Sequence, residues 1–175
     1  MVVARVLEYS VLWRRLNIQY DIDQIKWEYE NTKNMLSWYD SIGGSKQLAL
    51  QSYDGDPTPY KSGCGSMKRQ PGMTEYDYNV INPAFNKGIF SRIITPYHRA
   101  RFMTMIKHST YSVHKDKSPR LHMAIDTHPH AYFFWPDTKE VVHIPADGFV
   151  YWVDTTENHT FVNAGPDRTH LVMVE

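Results

Sequence analysis

The apolar positions of this 175-residue chain change their period about halfway along. Between Asp21 and Tyr39, the residues Ile22, Ile25, Tyr29, Leu36 and Tyr39 recur at spacings of three, four and seven. That pattern predicts an amphipathic helix, capped by Asp21 or Asp23 and ended before Ile42-Gly43-Gly44. Residues 53 to 74, YDGDPTPYKSGCGSMKRQPGMT, are dense in Gly, Pro, Ser and Asp and read as one long irregular connection. Loops of that length in compact domains are often functional, so this one is a candidate substrate-facing lid, with a passive surface loop as the alternative.

From Arg99 onward the period is two. Strand-like runs are expected at Arg101 to Ile106, Thr110 to His114, Arg120 to Asp126, Ala131 to Trp135, Glu140 to Ile144, Phe149 to Asp154, His159 to Asn163 and Thr169 to Val174. Turn signals such as Lys117-Ser118-Pro119, Pro145-Ala146-Asp147-Gly148 and Ala164-Gly165-Pro166-Asp167 separate them. Many short strands at this even spacing mean a sandwich, jelly roll or barrel. In Arg120 to Asp126 one face carries Arg120, His122, Ala124 and Asp126 and the other Leu121, Met123 and Ile125; in the last strand Arg168 and His170 oppose Thr169, Leu171 and Met173. Polar faces that favour Arg and His over Lys, Glu and Thr suit a ligand-holding interior better than a solvated sheet. The expected fold is therefore mainly β with an N-terminal helical part, a double-stranded β-helix of the jelly-roll, cupin-like kind. One domain over residues 1 to 175 is expected, with 1–97 as helical and loop support and 98–175 as the jelly-roll core.

Composition narrows the ligand. Lys+Arg and Asp+Glu balance at 19 each, so no overall field favours nucleic acid or an anionic membrane, and a charged ligand must be recognised locally. Cys64 is the single cysteine, which excludes a disulfide framework and thiolate-rich zinc sites. No apolar run reaches membrane-spanning length, and the start MVVARVLEYSVLWRRLNIQY carries no small-residue cleavage site, so a cytoplasmic protein without membrane partners is expected.

His114-Lys115-Asp116 is the only His-x-Asp/Glu in the chain. Residues two apart on an extended segment project to one side, so both can reach one ion. Two imidazoles and one carboxylate on one face leave three positions open on a mononuclear Fe(II), enough for a bidentate co-substrate and O2. His159 opens a late strand that a barrel returns beside His114. Arg168 opens the last strand, where a permanently charged, bidentate guanidinium suits the distal carboxylate of 2-oxoglutarate. The ordered set matters more than any member, since nine histidines make single matches easy.

The stretches HRARFMTMIKHSTYSVHKDKSPRLHMAI and EVVHIPADGFVYWVDTTENHTFVNAGPDRTHLVMVE resemble the aspartyl/asparaginyl β-hydroxylase family of Fe(II)/2-oxoglutarate dioxygenases, over about residues 98 to 175, with weaker similarity around Gln47 to Gly65. The resemblance implies that His114 and His159 bind iron, that Arg168 clamps the co-substrate and that Arg120 and His122 line its pocket. Some family members lack the carboxylate ligand; Asp116 argues here for a full triad. The implied reaction consumes 2-oxoglutarate and O2, releases succinate and CO2, and hydroxylates an amino-acid or peptidyl substrate of the Asp, Asn or Pro type. Two rivals stand beside it. One is a cupin-type metal enzyme without an oxo acid, which would need a third ligand from His122, His143 or His170; the other is a non-catalytic jelly-roll binding module. His128-Pro129-His130 reads as a loop with exposed imidazoles, His170 as a core or pocket residue, Trp135, Tyr151, Trp152 and Phe161 as packing, and Cys64 as incidental.

Overall fold

The computed structural model of the protein describes residues 10–41, 44–59, 61–67 and 70–175. The start of the chain, the Ile42-Gly43 part of the expected helix stop, and Tyr60, Lys68 and Arg69 of the long loop lie outside the described residues. In chain order the elements are β1 (Trp13–Gln19), α1 (Ile22–Thr32), β2 (Tyr39–Ser41), β3 (Ser45–Ala49), β4 (Gln51–Ser52), β5 (Val80–Ile81), α2 (Gly88–Ile94), β6 (His98–Met105), β7 (Ser109–Thr110), β8 (Arg120–Asp126), β9 (Ala131–Trp135), β10 (Glu140–Val142), β11 (Phe149–Val153), β12 (Thr160–Asn163) and β13 (Arg168–Val174).

Two antiparallel sheets face each other. One has seven strands in the order β1-β11-β8-β13-β6-β3-β2; the other has four, β10-β9-β12-β7. Strands β6 to β13 divide between the sheets in the alternation of a jelly roll, with β6, β8, β11 and β13 in the large sheet and β7, β9, β10 and β12 in the small one. The expected jelly-roll fold is the fold found. Among the described residues no helix is long and apolar enough to cross a membrane.

The first half departs from its helical and loopy reading. β1 flanks the large sheet beside β11, and β2 and β3 extend it beyond β6. β1 pairs with β11 alone and β2 with β3 alone, so these flanking strands show no sustained apolar alternation. The helix expected over 21–39 stops at Thr32: the Trp38 indole donates to the Lys33 carbonyl at 2.8 Å, turning the chain back into β2. Its start is as expected, with Asp21 Oδ1 accepting from the amides of Asp23 and Gln24 at 2.9 and 3.1 Å.

The outer face of the large sheet packs on the helices. Phe102, Leu121, Met123, Leu171 and Met173 are buried against Ile25, Tyr29, Phe90, Ile93 and Ile94. Each such side chain contributes about 1.5–3 kcal/mol on burial. α1 and α2 are joined by Glu28, which accepts the amides of Ile89 and Phe90 at 2.7 and 3.3 Å. Gly88 allows that approach, since its φ is +87° and a Cβ there would sit 2.4 Å from Glu28 Oε2. A second apolar cluster, including Phe133, Trp135, Ile144, Tyr151, Val153 and Phe161, fills the space between the sheets and leaves a cavity beside it.

Candidate functional site

The expected strand over Thr110 to His114 shortens to β7, after which His114 alone bridges to His159. That bridge is reciprocal: each backbone amide donates to the other's carbonyl at 3.0 Å. Two residues on, the Asp116 amide donates to Thr155 O at 2.7 Å. Backbone pairing thus sets the three side chains together, and one ligand atom from each of His114, Asp116 and His159 lies within 4.8 Å of the others. Nδ1–H of His114 donates to Ser112 O at 2.8 Å, and that of His159 to Glu157 O at 2.9 Å. Both rings are then tautomers whose Nε2 lone pair is free, the form a divalent ion requires. Burial pushes the His159 imidazole below its ordinary range, favouring the neutral ligand. The donor set fits one octahedral ion of Fe(II) type with open positions.

The triad lies on a cavity of about 560 Å³, which is also lined by Arg101, Arg120, His122, Phe133, Phe161 and Arg168. Arg168 is 3% exposed, its guanidinium carbon 3.7 Å from the Phe161 ring centroid. Nη2 donates to His170 Nδ1 at 2.7 Å, and Nε has no partner. Among the described residues no carboxylate pairs with Arg168, and burial pushes its pKa down to about 9. His170 Nδ1 in turn lies 3.4 Å from His122 Nδ1. Because Arg168 only donates, His170 Nδ1 is the acceptor, and its one in-plane lone pair is engaged there. Burial first, and Arg168 second, hold both imidazoles well below the ordinary histidine range, so both stay neutral.

At the mouth, the sequence reading missed the residue that organises the site. Glu75, in the short turn Glu75–Asp77, is 6% exposed and receives Arg120 bidentately at 2.7 and 3.0 Å, together with Arg99 and the Ser118 hydroxyl at 2.7 Å. Burial alone would raise its pKa, but Arg120, Ser118 and Arg99 outweigh it and hold the carboxyl below its ordinary range. Arg120 Nε lies 3.3 Å from Asp116 Oδ2. So Arg120 borders the cavity as expected, with its terminal nitrogens committed to Glu75 and its Nε near Asp116 without a hydrogen bond. Arg99 also donates from Nε to Gly63 O at 2.9 Å and from Nη2 to Gly65 O at 2.7 Å. The inner part of the long loop, Gly65 to Met67, thereby forms one wall of the cavity. No apolar period marks Glu75, whereas Arg99 and Arg101 share a strand face in HRARFM and could have been found.

The remaining candidates fall outside the metal group. His143 Nδ1 lies 2.8 Å from Ala131 O, and His122 and His170 are engaged with each other and Arg168, so among the described residues no third imidazole joins the triad. His128 Nε2 lies 2.9 Å from Asn163 Oδ1 while its Nδ1 accepts the His130 amide, a staple of the turn between β8 and β9. Trp135 donates to Asp154 O at 3.0 Å within the packed cluster. Cys64 is buried, which pushes its thiol pKa up.

Neither a scan against models of protein families nor a search of curated proteins finds a match. Solved structures do match. An oxidoreductase of the 2OG-Fe(II) oxygenase family from Burkholderia pseudomallei superposes with TM-score 0.57 at 13% identity, covering 93% of this chain and 84% of that one. The viral collagen prolyl hydroxylase of Paramecium Bursaria Chlorella virus-1, in its 2OG complex, gives 0.53 at 7%, covering 94% and 96%. A prolyl hydroxylase from Trichoplax adhaerens, bound to a peptide fragment of the hypoxia inducible factor oxygen degradation domain, gives 0.52 at 13%, covering 92% and 81%. The chain therefore has the jelly-roll fold of the 2-oxoglutarate/Fe(II) oxygenases.

Proposed function

We propose that the protein is an Fe(II)- and 2-oxoglutarate-dependent dioxygenase that hydroxylates an amino-acid or peptidyl substrate of the Asp, Asn or Pro type, related to the aspartyl/asparaginyl β-hydroxylases. One observation carries this reading: a His-Asp-His group and a buried arginine without a carboxylate partner open onto the same cavity. A metal enzyme that used no oxo acid would have no use for that arginine. The fold shared with prolyl hydroxylases, one bound to 2-oxoglutarate and one to a peptide, agrees with it.

His114, Asp116 and His159 are the proposed ligands. Iron held there supplies, with 2-oxoglutarate and O2, the oxidising chemistry that yields succinate, CO2 and a hydroxylated C–H bond. The chain's own part is positional and electrostatic. Ser112 O and Glu157 O fix the two imidazole tautomers. Arg168 receives the distal carboxylate of the co-substrate, its charge unpaired with any carboxylate among the described residues, while Phe133 and Phe161 keep that end dry. His122 lines the pocket as a neutral donor. Arg120, assigned by resemblance to the co-substrate pocket, borders that pocket with its terminal nitrogens on Glu75 and its charge 3.3 Å from Asp116.

The test is succinate formation from 2-oxoglutarate by purified protein with Fe(II), ascorbate and O2. Wild type turns over slowly even without its substrate, His159→Ala does not, and Arg168→Ala needs far more 2-oxoglutarate. Iron-loaded wild type that forms no succinate refutes the assignment.

A further inference from the structure

The chain carries 19 basic and 19 acidic residues, yet its cavity is far from balanced. Among the described residues, Arg99, Arg101, Lys115, Lys117, Arg120 and Arg168 line it with two carboxylates, Glu75 and Asp116, and Glu157 outside it pairs with Lys115 alone. A divalent ion beside Asp116 would add charge of the same sign. A 2-oxoglutarate dianion removes only part of that excess.

The unanswered charge has a place. Arg101 is 6% exposed, lines the cavity and, among the described residues, pairs with no carboxylate. Nη1 donates to Arg99 O at 3.1 Å and Nε has no partner. The nearby acid, Glu75, is already spent on Arg99 and Arg120. A cation buried without an anion is unfavourable, and an arriving anion relieves it.

Arg101 and Arg168 do not serve one spot. Both lie on the inner face of the large sheet, but Arg168 stands opposite Met105 while Arg101 stands opposite Val172. Four residues of β6 separate those rungs, about 13 Å at the usual rise. Arg101 lies beside Arg99, Arg120 and Glu75, the mouth group next to Asp116, as well as Cys64, and those groups do not act on Arg168. With the co-substrate reaching from Arg168 to the metal, Arg101 faces the space left for substrate.

We infer that the substrate bears a carboxylate and that Arg101 receives it, which makes Arg101 a residue that selects acidic substrates. This rests on the assignment of the Arg168 end to 2-oxoglutarate. The carboxylate belongs either to an acidic side chain within a peptide or to a free main-chain terminus; the chemistry Arg101 offers is the same.

The side-chain Nε–H resonances of the full chain, loaded with Mg(II) and saturated with 2-oxoglutarate, test this without turnover. Acetate is expected to move the Arg101 resonance saturably while acetamide, of the same shape without charge, does not. Arg101→Gln should weaken acetate binding by about tenfold or more, and Arg101→Lys by less. The Arg168 resonance of each variant, moved by 2-oxoglutarate, reports that the fold is intact. N-acetylglycine carries only a terminal carboxylate and N-acetyl-aspartate α-methylamide only a side-chain one; tighter binding of either over acetate supports the inference and names the source. An Arg101 resonance unmoved by acetate, or moved by 2-oxoglutarate as strongly as that of Arg168, overturns it, as does acetate binding that neither acetylated probe improves. If 2-oxoglutarate moves neither arginine, the co-substrate assignment fails, and the acetate titration still decides whether Arg101 is an anion site.

Discussion

On β13, Thr169, Leu171 and Met173 point to the helices and Arg168, His170 and Val172 toward the cavity, and every one is at most 4% exposed. The same division holds on β8, where Leu121 and Met123 oppose Arg120 and His122, all at most 5% exposed. Burial is equal on the two faces and chemistry is opposite. The outer face gains stability from apolar area. The inner face carries the burden of dehydrated cations and imidazoles, offset in part by Glu75, by backbone carbonyls and by the contacts among Arg168, His170 and His122. Equal dryness with unequal chemistry separates what keeps the protein folded from what it folds to hold.

Substitutions on each side test that separation. His159→Ala should reduce succinate formation to background while shifting the metal-free unfolding free energy by only about 1 kcal/mol, measured by urea titration. A larger loss of stability would mean that the His114–His159 bridge is itself part of the core. Phe102→Ala, on the outer face, should cost about 3–5 kcal/mol in the same titration, with metal affinity of the remaining folded protein unaltered. Arg168→Gln removes one charged contact, and the 2-oxoglutarate concentration for half-maximal turnover should rise about 10- to 100-fold, in line with roughly 1.5–3 kcal/mol for such a bond.

The inner face should also respond to acid. His122 and His170 are held neutral in the folded protein, so at a pH below about 6.5 the unfolded chain binds protons that the folded one does not. Stability is therefore full above that pH and declines as pH falls below it, by up to about 1.4 kcal/mol per pH unit for each histidine. Unfolding titrations at pH 7.5, 6 and 5 check the sign, and His170→Gln should flatten the decline; an unchanged slope would place the proton uptake elsewhere.

Strands with one apolar face and one Arg/His face were legible from sequence, and β8, β9 and β13 fall within a residue of their expected bounds. The grouping of His114, Asp116 and His159 was legible as well, because His114-Lys115-Asp116 sits at a strand end and His159 opens the run opposite it. What was hidden depends on partners distant in the chain. β1 and β3 take their strand character from β11 and β6, and α1 ends where Trp38 reaches back to Lys33. Glu75 sits in a three-residue turn with no periodicity, and only the fold brings it to Arg99 and Arg120, 24 and 45 residues away. That encounter ties the Arg120 terminal nitrogens to Glu75, a pairing that no local pattern encodes.

The reciprocal backbone bridge between His114 and His159 bears on when an ion would enter. In small metal-folded domains the ion organises the chain, so release of the ion and unfolding are one event. Here both rings are aligned by main-chain bonds of the fold itself. Loading would then follow the ion's exchange of water for imidazole, on a clock separate from folding. A chelator should strip the protein to a compact, rechargeable form, and one preparation could be filled in turn with different divalent ions.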